Sequence, residues 1–267
     1  MKNDHNKVRP RDYLDGLMAS GRYVFTSKEA KAALGSSPDA AKVALARLAK
    51  QGLIASPARG FYVVIPPEYR SLGCLPADQF IPALMRDRGQ SYYVGLLSAA
   101  QYHGAAHHRP QEFQVMVNKA RRQIECGKVR VSFFVKARIE ATATQKFNTQ
   151  RGEIFVSTPE ETALDLIGYQ ENSGGLDNVA TILSELADKL DPQKLASAAA
   201  SSPMPWTQRL GYLLTYLGHP LQASALKEFV KNEGPQVVAL LPGHTLSDAG
   251  RDHDWRLNIN TTIEAET

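Results

Sequence analysis

Ser36-Ser-Pro-Asp-Ala-Ala-Lys-Val-Ala-Leu-Ala-Arg-Leu-Ala-Lys-Gln-Gly-Leu-Ile54 is the stretch whose reading decides the fold. Ser37 is a capping residue, and Pro38 follows at the first helical position, where a missing N–H costs nothing. The spacing predicts a helix to about Gln51, with Gly52 suited to the left-handed turn beyond its end. Projected at about 100° per residue, Ala41, Ala44, Leu45, Leu48 and Ala49 share one face. Asp39, Ala40, Val43, Ala46, Arg47 and Lys50 lie opposite. That outer face mixes charge with small apolar groups, as a major-groove reader requires: Arg47 can reach guanine edges or phosphate, Ala40 and Val43 thymine methyls.

The flanks fit the same picture. Pro10–Ala19 carries Tyr13, Leu14, Leu17 and Met18 at helical spacing and stops at Gly21. Residues 22–25 are β-prone. Thr26-Ser-Lys-Glu29 reads as a capping box opening a short helix, Ser27–Leu34, that ends at Gly35. Beyond the third helix, residues 53–55 and 61–65 flank Ser56-Pro-Ala-Arg-Gly60, a hairpin with Arg59 near its tip. The order helix, strand, helix, turn, helix, basic hairpin predicts a winged helix-turn-helix over residues 1–67. Charge agrees: residues 1–70 hold twelve Lys and Arg against six acids, and the other 197 residues hold 19 against 21. The whole positive excess is N-terminal, the footprint of a small nucleic-acid-binding module. The expected DNA-contacting residues are Lys28, Ser36, Ser37, Asp39, Ala40, Val43, Arg47, Lys50 and Arg59, with double-stranded DNA the partner.

A proline-marked connection, residues 65–76, separates this unit from a larger one, 75–267. There, helices are expected over residues 78–88, 92–104, 176–190, 192–200, 206–217 and 221–230, and another after a second capping box, Thr158-Pro-Glu-Glu161. Strands are expected over 112–118, 128–136 and 153–156, each burying one face, with late candidates at 237–240 and 255–260. The fold class is therefore α+β: an N-terminal winged helix-turn-helix followed by a mixed α/β domain with one small sheet and many helices.

The run Ser37-Pro-Asp-Ala-Ala through Gly52-Leu-Ile54, closed by Ala58-Arg-Gly-Phe-Tyr-Val63, resembles the N-terminal domain of the AbiEi family, antitoxins and transcriptional regulators of type IV toxin–antitoxin systems. Tyr93-Val-Gly-Leu-Leu-Ser-Ala-Ala with His103-Gly104, Thr158-Pro-Glu-Glu-Thr-Ala-Leu-Asp-Leu166, Gln208-Arg-Leu-Gly-Tyr-Leu-Leu214 and Trp255-Arg-Leu-Asn-Ile-Asn260 resemble its C-terminal domain. The likeness thus covers both units. It implies an antitoxin without enzymatic activity, whose C-terminal domain antagonises a nucleotidyltransferase-like toxin and whose N-terminal domain binds repeats upstream of the operon and represses it.

Other chemistry is thinly represented. His103 and His107 have a zinc-binding spacing, but Gly104 interrupts the helix and no glutamate follows His103, so no metal or cofactor is expected. His244, Asp248, Asp252, His253 and Asp254 cluster in a polar loop, their role open. Lys119, Arg121 and Arg122 fall between two strands and read as an exposed hairpin, the alternative being a secondary contact to nucleic acid or to an acidic partner surface. No phosphate-binding glycine loop or serine elbow occurs. Two cysteines, Cys74 and Cys126, make no disulfide framework. No apolar run spans a bilayer and no secretory signal is seen, so a cytoplasmic protein without membrane partners is expected. Two further classes remain: a stand-alone ligand-sensing winged-helix regulator, and a nuclease targeted by the winged helix.

Overall fold

The structure, a computed structural model, describes residues 8–105, 111–233, 236–245 and 250–265. The first elements are α1 (Pro10–Ala19), β1 (Val24–Thr26), α2 (Ser27–Leu34), α3 (Pro38–Lys50), β2 (Ile54–Ala58) and β3 (Phe61–Val64). Local chemistry sets their ends. Thr26 Oγ1 accepts from Glu29 N at 3.2 Å while Glu29 Oε2 accepts from Thr26 N at 2.7 Å, the reciprocal capping box. Ser37 Oγ accepts from Ala40 N at 3.3 Å and starts α3. The strands form an antiparallel sheet in the order β1-β3-β2. Leu14, Leu17, Phe25, Ala30, Leu45, Leu48 and Ile54 make the small core, with Phe25 stacked on Tyr62 at 5.5 Å.

The larger unit continues with α4 (Ile81–Asp87), β4 (Tyr92–Val94), α5 (Leu96–Tyr102), β5 (Phe113–Val117), β6 (Ile124–Cys126), β7 (Val129–Val135), β8 (Thr144–Thr149) and β9 (Gly152–Ser157). Five helices follow: α6 (Pro159–Gly168), α7 (Gly175–Leu186), α8 (Pro192–Ala200), α9 (Met204–Tyr216) and α10 (Pro220–Glu233). Three short strands, β10 (Val238–Ala239), β11 (Gly250–Asp252) and β12 (Leu257–Ile259), form a small sheet in the order β10-β12-β11. The main sheet has six strands in the order β6-β7-β5-β4-β9-β8, mixed parallel and antiparallel. The chain is α+β, and the larger unit has two sheets among the described residues where one was expected.

Several expectations are corrected. Residues 92–104 are not one helix. Tyr92-Tyr-Val94 is a strand in the middle of the sheet, paired with Val117, Met116 and Val115 on one side and through Val94 with Val156 on the other. Gly95 then lets the chain turn hard against β5, since a Cβ there would stand 2.5 Å from Met116 Cγ. The helix expected over 78–88 begins at Ile81, because in a helix starting earlier the Pro82 ring would strike the carbonyl of residue 78. The 176–190 helix gives way after Leu186 to a 3₁₀ turn, Ala187–Lys189. Nor does each strand bury one face. In β5, Val115 and Val117 pack towards α4 while Met116 packs into the helical layer, so the strand is covered twice. Buried Gln114 is satisfied there: its Oε1 accepts from Leu97 N and its Nε2 donates to the Asn172 carbonyl, both at 2.9 Å.

The proline-marked segment 65–76 is built into the structure, with a 3₁₀ turn at Pro67–Tyr69 and Ile65, Cys74 and Leu75 buried. Phe61 and Val63 of β3 join one apolar cluster with Leu75, Phe80, Ile81, Leu84, Val115, Val131 and both cysteines. Cys74 and Cys126 are free thiols buried against each other, and their contact holds Cys74 above its ordinary pKa. Arg151, from the β8–β9 turn, lies 3.3 Å over the Tyr23 ring and adds a cation–π contact between the units.

Between β7 and α6 lies a buried ionic cluster. Lys136 Nζ stands 2.8 Å from Asp165 Oδ1 and 3.2 Å from Glu161 Oε2, and the Tyr93 hydroxyl donates to Asp165 Oδ2 at 2.6 Å. Glu161 Oε1 also accepts from Ala143 N at 3.3 Å. The expected second capping box is therefore half of one: Thr158 Oγ1 accepts from Glu161 N, while the Glu161 carboxylate turns to Lys136. Burial pushes both carboxyls above their ordinary range, against the pull of Lys136. Burial lowers the Lys136 ammonium, but the two carboxylates more than reverse this and leave it raised.

Two outcomes follow from this packing. Phe61→Ala is expected to cost about 3–5 kcal/mol and to shift the unfolding seen by Trp206 and Trp255, both in the larger unit. An unmoved tryptophan transition with a separate early phase in circular dichroism would mean the units unfold apart. In the ionic cluster, carboxyls with raised native pKa keep protons that the unfolded chain releases. Their stabilisation is thus full below about pH 4 and declines as pH rises through the raised values. Asp165→Asn should flatten that decline in urea midpoints, and Lys136→Met should cost about 3–5 kcal/mol by stranding two carboxylates. An unchanged pH slope in Asp165→Asn would exclude this carboxyl as its source.

Candidate functional site

Helix α3 presents the expected outward face: Asp39, Ala40, Val43, Ala46, Arg47 and Lys50 are all exposed, and Val43, at 49%, is unusually bare for a large aliphatic residue. Lys42, which the sequence reading left aside, is exposed on the same helix. Ala41, Leu45 and Leu48 face inward; Ala49 does not, because it sits about 80° around the helix from Ala41, at the margin of the apolar stripe. Ser37 is exposed and caps α3, while the Ser36 Oγ is buried in the α2–α3 turn without a hydrogen-bond partner.

Lys28 and Arg59 come from other elements. Ser27 N donates to the Gly60 carbonyl at 2.9 Å, pinning the start of α2 to the β2–β3 turn, so that exposed Lys28 and Arg59 flank one contact. The hairpin loop is only Arg59 and Gly60, with Gly60 at φ +75°. Arg22 pairs with Glu29 at 2.6 Å, and Lys28, the cation in the first turn of α2, lies outside that pair. The face thus has three apolar groups, Ala40, Val43 and Ala46, with Asp39 at its start, framed by Lys42, Arg47 and Lys50, and Lys28 and Arg59 come from neighbouring elements. It can meet base edges and phosphates.

The histidine and acidic residues are placed differently. Buried His103 bridges three elements: its Nε2 meets the Ser157 carbonyl at 2.8 Å and its Nδ1 the Gln145 Nε2 at 3.3 Å. With Gln145 donating to Nδ1, the proton lies on Nε2, and burial lowers the ring's pKa, keeping it neutral. His107 and Asp248 lie outside the described residues. Asp252 Oδ1 accepts from Trp255 N at 2.8 Å, closing a turn after β11, and Asp254 pairs with Lys227 at 2.7 Å. His244 and His253 are exposed. Among the described residues no three His, Cys, Asp or Glu side chains are grouped to hold a metal. A cleft of about 700 Å³ beside β5 is lined by Asp78, Glu112, Lys128 and Arg130 together with apolar Leu72, Pro76, Phe113 and Val129. Among the described residues no helix is long and apolar enough to cross a membrane.

Comparison with known proteins places these features. Residues 14–65, the unit that carries α3 and the hairpin, match the family described as transcriptional regulator, AbiEi antitoxin. Residues 93–216, from β4 to the end of α9, match the AbiEi antitoxin C-terminal domain. No curated protein matches the chain. The crystal structure of the RV2827C protein from Mycobacterium tuberculosis shares the fold, with a TM-score of 0.69 at 19% identity, over 95% of this chain and 94% of that one. With both of its units matched in their family order, the chain belongs to the AbiEi family of antitoxins and transcriptional regulators.

Proposed function

We propose that the chain is a non-catalytic DNA-binding antitoxin of a type IV system. In this reading residues 1–67 are a winged helix-turn-helix that binds operator repeats upstream of its own operon. Residues 75–267 neutralise a nucleotidyltransferase-like toxin, and the two functions reside in one cytoplasmic protein. The observation that carries the reading is the bare outer face of α3, with exposed Val43 between Arg47 and Lys50, in the unit matched by the transcriptional-regulator family. An isolated aliphatic side chain ringed by cations suits a thymine methyl beside phosphates. Ser37 at the helix start would set its register on the backbone, Asp39 could accept from a cytosine amino group, and Lys28 and Arg59 would hold flanking phosphates.

The readout is tested by gel shift at two salt concentrations. Arg47→Ala is expected to lose about 1–3 kcal/mol of specific binding, the worth of a bidentate base contact. Lys50→Ala and Arg59→Ala should weaken binding on every sequence and lower the salt slope by about 0.9 per lost phosphate contact. Wild-type sequence preference in Arg47→Ala would remove this residue from the reading face.

Neutralisation is tested with the full chain, since a fragment starting at Leu75 would expose the apolar cluster that Phe61 and Val63 cover. With toxin and antitoxin expressed from promoters that the protein does not control, Arg47→Ala should restore growth as well as wild type while failing to repress its own promoter. Loss of both together would show that neutralisation runs through DNA. If the wild type rescues no adjacent toxin and a metabolite raises its melting temperature, the protein is a ligand-sensing regulator instead.

A further inference from the structure

Leu72-Gly73-Cys74, at the end of the connecting segment, runs against Cys126-Gly127-Lys128, where β6 turns into β7. Lys128 N donates to the Leu72 carbonyl at 2.7 Å. One residue on, the two glycines meet through bare backbone: a Cβ on Gly127 would stand 2.8 Å from Gly73 Cα and 2.1 Å from Leu72 O. Gly73 and Gly127 both hold left-handed backbone, at φ +68° and +58°, which a side chain would strain. Residue 72 is thus set against 128 and 73 against 127. The next pair along these two oppositely running stretches is Cys74 and Cys126.

The thiols meet inside the apolar cluster of Leu75, Phe80, Ile81, Val115 and Val131. Cys126 keeps a trace of exposed surface and Cys74 none. The Cys74 S–H donates to the Cys126 sulfur, which raises the Cys74 pKa and lowers that of Cys126. Packing alone does not call for this arrangement, since small apolar side chains fill such a cluster without two glycines behind them. Opposed residues on antiparallel chains stand about 4.5–5.5 Å apart at Cα, inside the span of about 4.4–6.8 Å that a disulfide bridges.

We propose that Cys74 and Cys126 form an oxidation site, at which hydrogen peroxide converts the thiol pair into an intramolecular disulfide. The Cys126 thiolate attacks one peroxide oxygen and the O–O bond breaks. Sulfur is oxidised to sulfenic acid, and the departing hydroxide takes up the proton that the thiol gave, as water. Cys74 sulfur then attacks Cys126 sulfur, the S–O bond breaks, and the oxygen leaves with the Cys74 proton as a second water. Two thiols and one peroxide give one disulfide and two waters. Because the second thiol already stands opposite, the sulfenic acid closes before further peroxide carries it to sulfinic acid. The product ties the connecting segment to the outermost strand of the main sheet, beside the cluster that holds Phe61 and Val63 of the smaller unit.

The test treats the reduced full chain with a small molar excess of hydrogen peroxide, quenches it in acid and reads the intact mass. Wild type is expected to lose two hydrogens and to yield one linked peptide pair, through residues 74 and 126, on digestion. It should melt roughly 5–10 °C higher, and dithiothreitol should restore both the mass and the midpoint. Cys74→Ser should instead gain one oxygen, as a Cys126 sulfenic acid that dimedone traps. The wild-type readings decide the matter even if that variant does not fold. An unchanged wild-type mass, or added oxygen without a link, would overturn the site. So would a link that forms only in urea-unfolded chain, one that joins two separate chains, or a linked protein that melts below the reduced one.

Discussion

Asp165 is a carboxylate with no exposed surface, and an ion so placed must be answered from inside the protein. The answers come from two directions: Tyr93 on the central strand, and Lys136 just past β7, whose ammonium also meets Glu161 one turn earlier on the same helix. The two tie α6 to different parts of the sheet, so the helix cannot slide or rotate without leaving a charge unpaired. Apolar packing supplies most of the free energy of such a layer but tolerates small shifts. The ionic cluster makes the position single-valued. Because α6 touches α5, α7, α8 and α9, its placement carries through the whole helical layer.

On its opposite face the same sheet receives the smaller unit. β5 serves both sides at once, with Met116 towards the helices and Val115 and Val117 towards α4, Phe61 and Val63. A strand buried on both faces transmits position well, since it has no solvent side to yield to. The unit carrying α3 is thereby seated on the larger unit through a shared core, and the Arg151–Tyr23 and Arg88–Arg59 contacts fix its rotation. Orientation between the two is a property of the folded chain, with no free linker involved.

How much of this was legible in the sequence follows from the range of each interaction. The capping box at Thr26 and Glu29, the Ser37-Pro38 start and the Gly52 stop are decided within four residues, and the first three helices were read to within one residue, whereas β2 runs to Ala58 through three residues expected in the hairpin loop. Tyr92-Tyr-Val94 failed because a three-residue strand takes its identity from partners at 115–117 and 156, while its local context looks like the start of the helix that follows. β8, Thr144–Thr149, has a single large apolar side chain, Phe147, and no short-range signal to announce it. Glu161 was misread because the same residue fits a capping box and a buried ion pair, and only Lys136, 25 residues away, decides between them. The outward face of α3 needed nothing beyond helical periodicity. Arg88 was passed over because its contact with the Arg59 carbonyl exists only after the two units have packed together.

The buried thiol pair gives that seam a chemical signature. Cys74 stands at the end of the connecting segment and Cys126 on the outermost strand of the main sheet, and the two are the only cysteines in the chain. Cys74 has no exposed surface and Cys126 only 6%, so the pair meets a reagent in water chiefly when the packing around it opens. In a fully native population, the slow appearance of labelled thiol measures how often the smaller unit lifts from the larger, a motion that spectroscopic averages over the closed majority would hide.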